Sequence, residues 1–466
     1  MSDTTSEPPT TATEAASGDA REPGDGAIDA AAVSVPEAPE LSTRGALAYS
    51  SGNFGSGAFY AFNNFILPIM LDNLGMPVIP NGLLSASHSA EGAILQPLVG
   101  AWSDRTWTRR LGRRRPFIAR FLPICVLFLV LTPLAPILFH VVAENKHPHA
   151  NYPHAALVLG LVALGVFLFS VTFNLMYDPY NALLADITPA RQRGRVNGIF
   201  QAIGASGQAI ILLTAAFLGL PFIILFALCA ALLATTFIPT MLRVREPREL
   251  AGPRRTHRYT VRDYWDGLKV DRQIQLYFAT QFFLWFGINA ITPYLTNYAR
   301  HAAHFTDTQA LTLSFILLLS SAIFNVPFGN LCDRIGLKRV FLLGMILMSG
   351  AAIAGIFTTN IVLLYIILTI AGVGNAAQTA SSYPLLTRLV FPDQMGLYTG
   401  LLSTVTSVAS PLSVLIAGAL ITGIGYTAMF PFVAAMFLLS LVPLALLRMD
   451  RSRVARIERA AGQLSA

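Results

Sequence analysis

From Ala46 to Leu447 the chain runs through twelve apolar stretches, each about 20 residues or longer, joined by short polar connections. A helix of that length crosses the hydrocarbon of a bilayer while satisfying its own backbone hydrogen bonds, and no water-soluble fold hides so many such runs. The predicted spans are 46–70, 82–101, 117–139, 156–182, 195–217, 221–242, 274–298, 309–331, 340–359, 361–386, 397–421 and 427–447. Composition agrees: 54 % of the 466 residues are hydrophobic and only 12 % charged, against about 25 % charged in a soluble domain. The expected fold is an all-α membrane protein with twelve transmembrane helices.

Loop charges set the expected orientation. Alternating the loops between two sides leaves 30 of the 32 Lys and Arg together with both termini, and only Lys146 and Arg300 opposite. The positive-inside rule then places both termini in the cytoplasm of a multi-pass cell-membrane protein. The formal charge of +7 gives no reason to expect nucleic acid, because the basic residues are scattered among short loops rather than gathered on one aqueous face. Membrane lipid is the expected surrounding partner.

Residues 1–41 carry nine acids against the single base Arg21 and are rich in Pro, Ala, Ser and Thr, which predicts a disordered acidic cytoplasmic tail. They lack the basic start and apolar run of a signal peptide, so the first span is expected to direct insertion. Residues 243–273 carry nine Lys and Arg and divide the spans six and six, as a basic linker between halves 42–242 and 274–447 would. A basic cytoplasmic tail is expected over 448–466. Cys125, Cys229 and Cys332 show no metal-ligand spacing and are expected to serve packing, with no metal and no cofactor.

The halves echo one another. Gly100-Ala-Trp-Ser-Asp104-Arg105 after the second span returns after the eighth as Gly329-Asn-Leu-Cys-Asp333-Arg334, followed by Gly336 and Lys338-Arg339. Pro189, Gln192, Gly194 and Gly198 likewise return as Pro392, Gln394, Gly396 and Gly400. Two like six-helix halves are the signature of a carrier that rocks about a central site.

On these motifs the chain resembles the major facilitator superfamily, from the first span to the twelfth. The resemblance implies two six-helix pseudo-repeats and a gating role for Asp104, Arg105 and Arg113 in one half and Asp333 and Arg334 in the other. The run Gln96-Pro97 to Arg105, with Gly112-Arg113-Arg114-Arg115-Pro116-Phe117-Ile118, is similar to the sucrose-transporter branch. Pro179-Tyr180-Asn181 through Asp186 resembles that branch and the related glycoside–pentoside–hexuronide cation symporters. The plant proteins carry an acid where this chain has Ser170 and an arginine where it has Asn181, so neither sucrose itself nor sodium coupling is carried over.

Of the 25 Asp and Glu, only Glu91 and Asp178 lie inside predicted spans. A carboxylate at membrane depth is neutralised by a proton, a cation or a basic partner, so these two are the candidates for ion coupling. His88, three residues before Glu91 on nearly the same helix face, is a candidate relay. Permanently protonated acids and a packing histidine are the alternatives. A sugar needs many hydroxyl partners in a wet cavity, which amides and aromatics at helical spacing supply. Candidates for substrate binding are Asn53, Tyr60 and Asn64; Asn174; Gln201 and Gln208; Gln281, Trp285 and Asn289, ahead of a predicted break at Thr292-Pro293; and Asn375 with Gln378. Helix–helix hydrogen bonding is the competing role for each.

The expected function is a secondary active transporter, moving a sugar or glycoside by alternating access in symport with a proton, or with sodium in its place. An exporter of amphipathic compounds and a non-transporting sensor are the alternatives. There is no nucleotide-binding Gly-rich loop ending in Lys-Ser or Lys-Thr, so ATP-driven transport by this chain alone is not expected, and with no assembled nucleophile–base or metal constellation neither is an enzyme.

Overall fold

The computed structural model describes residues 40–87, 95, 98–100, 102–103, 105–138, 155–189, 192–246, 271–390 and 394–449. Within them are α1 (Thr43–Ala61), continued by a π-helical turn (Phe62–Ile66) and α2 (Leu67–Asn73), then α3 (Val78–Ser85), α4 (Arg115–Leu131), α5 (Leu134–Leu138), α6 (Ala155–Ile187), α7 (Arg193–Leu218) and α8 (Phe222–Arg243). The second half comprises α9 (Arg272–Ile291), α10 (Leu295–His301), α11 (Asp307–Ile335), α12 (Leu337–Ile356), α13 (Ile361–Thr387), α14 (Met395–Ile424), a 3-10 turn (Tyr426–Ala428) and α15 (Met429–Leu446). Eleven helices among the described residues are long and apolar enough to cross a membrane. They correspond to eleven of the twelve expected spans; the remaining one, 82–101, is described only towards its ends. Most of the tails 1–41 and 448–466 and of the linker 243–273 lies outside the described residues.

Local chemistry marks the helix ends. Ser42 caps α1 by accepting from the Gly45 N–H, Asp271 caps α9 by accepting from Gln273, and Thr306 with Gln309 forms a reciprocal capping box ahead of α11. Gly219 closes α7 in the left-handed conformation at φ 56°.

Two breaks recur at matching places. In the first span, Pro68 removes the N–H that would bond to the Asn64 carbonyl, and the chain widens into the π turn, where Leu67 N–H reaches back to Phe62. In the seventh, Pro293 removes the donor for Asn289, and helix gives way to a turn over 292–294. Each break follows the pattern Asn-x-x-x-Pro, 225 positions apart.

Packing repeats with the sequence. α1 lies against α7 and α8, as α9 lies against α14 and α15; α4 packs on α8 as α12 packs on α15. Tyr49 on α1 donates to the Tyr180 carbonyl of α6 at 3.2 Å, and Tyr277, 228 positions later on α9, donates to the Ser382 carbonyl of α13 at 3.0 Å. Thr240 on α8 donates to the Ala48 carbonyl, and Ser440 on α15 to the Thr280 carbonyl. These bonds satisfy hydroxyls that hydrocarbon would leave bare. α1 and α7 touch backbone to backbone: a Cβ on Gly57 would come within 2.0 Å of the Gly204 carbonyl oxygen, and one on Gly207 within 1.9 Å of that of Phe54.

Candidate functional site

In the first half, polar candidates gather around α1 and α6. Asn53 is only 3 % exposed, donates through Nδ2 to the Phe200 carbonyl at 2.8 Å, and accepts from the Tyr177 hydroxyl at 3.1 Å. Both ends of its amide therefore bind the helices together. Tyr60 meets Phe173 and Tyr177 edge-on, each at 5.4 Å between ring centroids, and Phe59 stacks on Phe173 at 3.9 Å. Asp178 follows Tyr177 on α6 and is half-buried beside this aromatic wall. Asn174 is buried one turn earlier, Asn64 is half-buried in the π turn, and on α7 Gln201 is exposed and Gln208 half-buried.

The second half repeats the arrangement with different groups. Gln281, 228 positions after Asn53, donates to the Tyr277 hydroxyl at 2.8 Å and to the Ser382 hydroxyl. Asn375 donates to Ser321 on α11 at 2.9 Å, and buried Gln378 accepts from Thr379. Half-buried Asn289 donates to the Trp285 carbonyl one turn back, beside the break at Pro293. Both halves thus present polar and aromatic side chains near their broken helices, the groups a polyhydroxylated ligand needs. His88 and Glu91 lie outside the described residues.

The halves meet at the face opposite the basic loops. There Asp72 on α2 accepts from Arg300 at 2.7 Å and from His301 Nε2 at 2.8 Å, both on α10. Arg300 also donates to Asn73 at 2.6 Å and pairs with Asp307 at 2.9 Å, and Asn297 donates to the Pro68 carbonyl at 3.3 Å. Deeper in, Tyr294 is fully buried between α3 and α14 and donates to the Val414 carbonyl at 3.1 Å. Its hydroxyl occupies a notch between Gly82 and Gly418: a Cβ on either would stand 2.0 or 2.6 Å from that oxygen.

At the basic-loop face, each half is tied within itself. Glu246, just past α8, accepts from the backbone N–H groups of Arg113, Arg114 and Arg115 at 2.6, 2.9 and 3.1 Å, anchoring the start of α4 where the helix dipole favours an anion. Burial pushes its carboxyl above the usual range, against the lowering effect of those three donors. Arg114 pairs with buried Asp186 at 3.1 Å and donates to Ser103. The second half makes the equivalent junction with the opposite charge: Lys338 at the start of α12 donates to the Ala445 and Leu447 carbonyls at the end of α15, at 3.0 and 2.6 Å. Of the expected gating residues, Arg113 is buried in this junction, whereas Arg105, Asp333 and Arg334 are exposed and Asp104 lies outside the described residues. Sequence reasoning did not single out Glu246, Tyr294 or the Asp72 cluster. Arg300 carried a signal, being one of two basic residues on the side opposite the other 30.

Comparison with known proteins follows the same lines. The family model of the Major Facilitator Superfamily matches residues 49–317 and 277–465. Sucrose transport protein SUT1 of Oryza sativa subsp. japonica is 29 % identical over 166 residues, 34 % of this chain and 30 % of that protein. Sucrose transport protein SUC4 of Arabidopsis thaliana is 31 % identical over 178 residues, 38 % of this chain and 34 % of the relative. Each match thus spans about a third of the relative's length. Among solved structures, a mutant of the nucleoside transporter NupG superposes with TM-score 0.64 at 13 % identity, over 86 % of this chain and 98 % of the other. A bacterial homologue of the iron transporter ferroportin, in an inward-facing state, gives 0.62 at 15 %, over 87 % and 98 %.

Proposed function

The chain belongs to the major facilitator superfamily, and from that premise we propose that it moves a sugar or glycoside across the cell membrane by alternating access, in symport with a proton. The substrate class rests on the similarity to sucrose transport proteins, supported by the amides and aromatic rings of both halves. In this reading the basic-loop face is cytoplasmic, which the loop charges support. The closed layer of Asp72, Arg300, His301 and Tyr294 is then the outer gate, and the molecule is closed to the outside.

Ion coupling falls to Asp178 and Glu91. A proton on either acid discharges it at membrane depth, and its release on the far side makes the return of the loaded carrier costly. Substrate sits between Asn64, Tyr60 and Asp178 of one half and Trp285, Asn289 and Asn375 of the other. The Arg114–Asp186–Glu246 junction and its Lys338 counterpart keep the cytoplasmic end of each half rigid while the halves move.

The test is uptake of labelled sucrose, maltose and simple glucosides into proteoliposomes under an inward proton gradient, then with the gradient collapsed by an ionophore. Gradient-dependent accumulation of one sugar is expected, with Asp178→Asn or Glu91→Gln reducing it to facilitated equilibration. Concentrative uptake that survives both substitutions would refute the coupling assignment, and dye exclusion without sugar uptake would favour an exporter.

A further inference from the structure

We propose that His301 is a proton site on the outer gate, through which acid in the external medium holds that gate shut. The inference rests on the alternating-access reading and concerns a group that reading does not use.

The closed gate contains the Asp72 and Asp307 carboxylates and the Arg300 guanidinium, two negative charges against one positive. Arg300 cannot switch: it stays charged at every relevant pH, and its pairing with Asp307 lies within its own half. Among these charged groups Asp72 alone comes from the other half, and its side chain is 11 % exposed. His301 Nε2 stands 3.0 and 2.8 Å from its two oxygens. A carboxylate only accepts, so Nε2 must carry a hydrogen in either charge state, and the second ring nitrogen is the one that gains or loses a proton. With that proton the cluster is neutral and Asp72 is held by two cations. Without it, a surplus negative charge remains and the bond keeps a charged acceptor but loses the attraction between two opposite ions.

The ring is placed for this. It stacks on Tyr426 at 5.1 Å between centroids with 8° between planes, which fixes Nε2 toward Asp72, and its side chain keeps 34 % of its surface open to the aqueous side. Among the described residues, Asp72 of the first span bonds the ring and Tyr426 of the 3-10 turn stacks on it, while Arg300, its neighbour on α10, bonds Asp72, Asn73 and, from α11, Asp307. When the gate opens, Asp72 leaves with its half and His301 keeps Arg300 beside it, so the open gate disfavours the imidazolium. Protonation and closure are therefore linked, each promoting the other.

The experiment places spin labels at Leu218→Cys and Phe357→Cys, both exposed at the outer ends of opposite halves, while the three native cysteines are buried. Distances are read in phosphatidylethanolamine–phosphatidylglycerol proteoliposomes without sugar, at about pH 5.5 and about pH 8, either side of histidine titration. Acid is expected to raise the closed-to-open ratio up to about fivefold, the upper end for one ion pair at a partly exposed site. His301→Gln keeps a donor and is expected to lose that response; Asp72→Asn is expected to lie open at both pH values. An equal acid response in His301→Gln, or none in the unsubstituted gate, overturns the proton site while leaving alternating access standing. A single distance under every condition overturns both.

Discussion

Replacing Gly82 by alanine should open the outer gate. The added methyl carbon would lie 2.0 Å from Tyr294 Oη, 2.3 Å from Cζ and 2.6 Å from Cε1. Carbon and oxygen settle no closer than about 3.3 Å without strain, so α3 and the ring must part by roughly 1 Å. The ring has little room to yield: its hydroxyl is bonded to the Val414 carbonyl, and Gly418 presses from the other side. Overpacking of this kind costs about 1–3 kcal/mol. The clash exists only while the halves are closed, so the whole cost falls on one state and shifts the closed-to-open ratio by about 5- to 150-fold. The assay is the rate at which a membrane-impermeant maleimide modifies Ser85→Cys, a fully buried position three residues after Gly82 on α3. Its modification should accelerate by that factor in the Gly82→Ala background, while Cys125, buried away from the gate, stays unreactive. An unchanged rate would falsify the wedge; labelling of Cys125 at the same rate would mean that the fold, and not the gate, had given way.

Arg114→Met should lower stability by about 1.5–3 kcal/mol, because it removes a charge-assisted partner from the Asp186 carboxylate at 1 % side-chain exposure, and adding Asp186→Leu should recover part of the loss in a detergent unfolding series. Glu246 holds its proton above the ordinary glutamate range, so the folded state binds that proton more tightly than the unfolded chain does. Its contribution is present on the acid side and is lost as pH rises from about 4.3 through the raised value; Glu246→Gln should flatten that part of the stability–pH curve, and an unaltered slope would count against it. Tyr277→Phe removes the hydroxyl that donates to the Ser382 carbonyl and accepts from Gln281, for which a loss of about 1–3 kcal/mol is expected with the substrate KM unchanged. A raised KM would instead place that hydroxyl in the substrate path.

The helices were readable because hydrocarbon enforces long apolar runs and leaves charge to the loops. The helix break at Pro293 was readable for the same local reason, a missing N–H. Asn53 shows where spacing stops informing: periodicity puts it on a particular face, but whether its amide meets sugar or the Phe200 carbonyl depends on a helix 147 residues away. The outer gate is harder still. Asp72 and Arg300 are 228 positions apart and each looks like an ordinary charge at a span end; only the meeting of the halves pairs them. Gly82 carries no sign of its role until the Tyr294 ring is beside it. The Glu246 junction is invisible for a further reason, since its partners are backbone N–H groups, which every sequence has.

The two Asn-x-x-x-Pro breaks also date events. In a chain made by copying a six-helix unit, a feature found at both offsets predates the copy and one found at a single offset arose, or was lost, afterwards. The breaks and the tyrosine struts of Tyr49 and Tyr277 fall in the first class. Asp178 falls in the second: two positions before Tyr180, it corresponds to Ala380 two positions before Ser382. A symmetric machine can move cargo, and an acid that one half carries without a counterpart in the other gives the two halves unequal work.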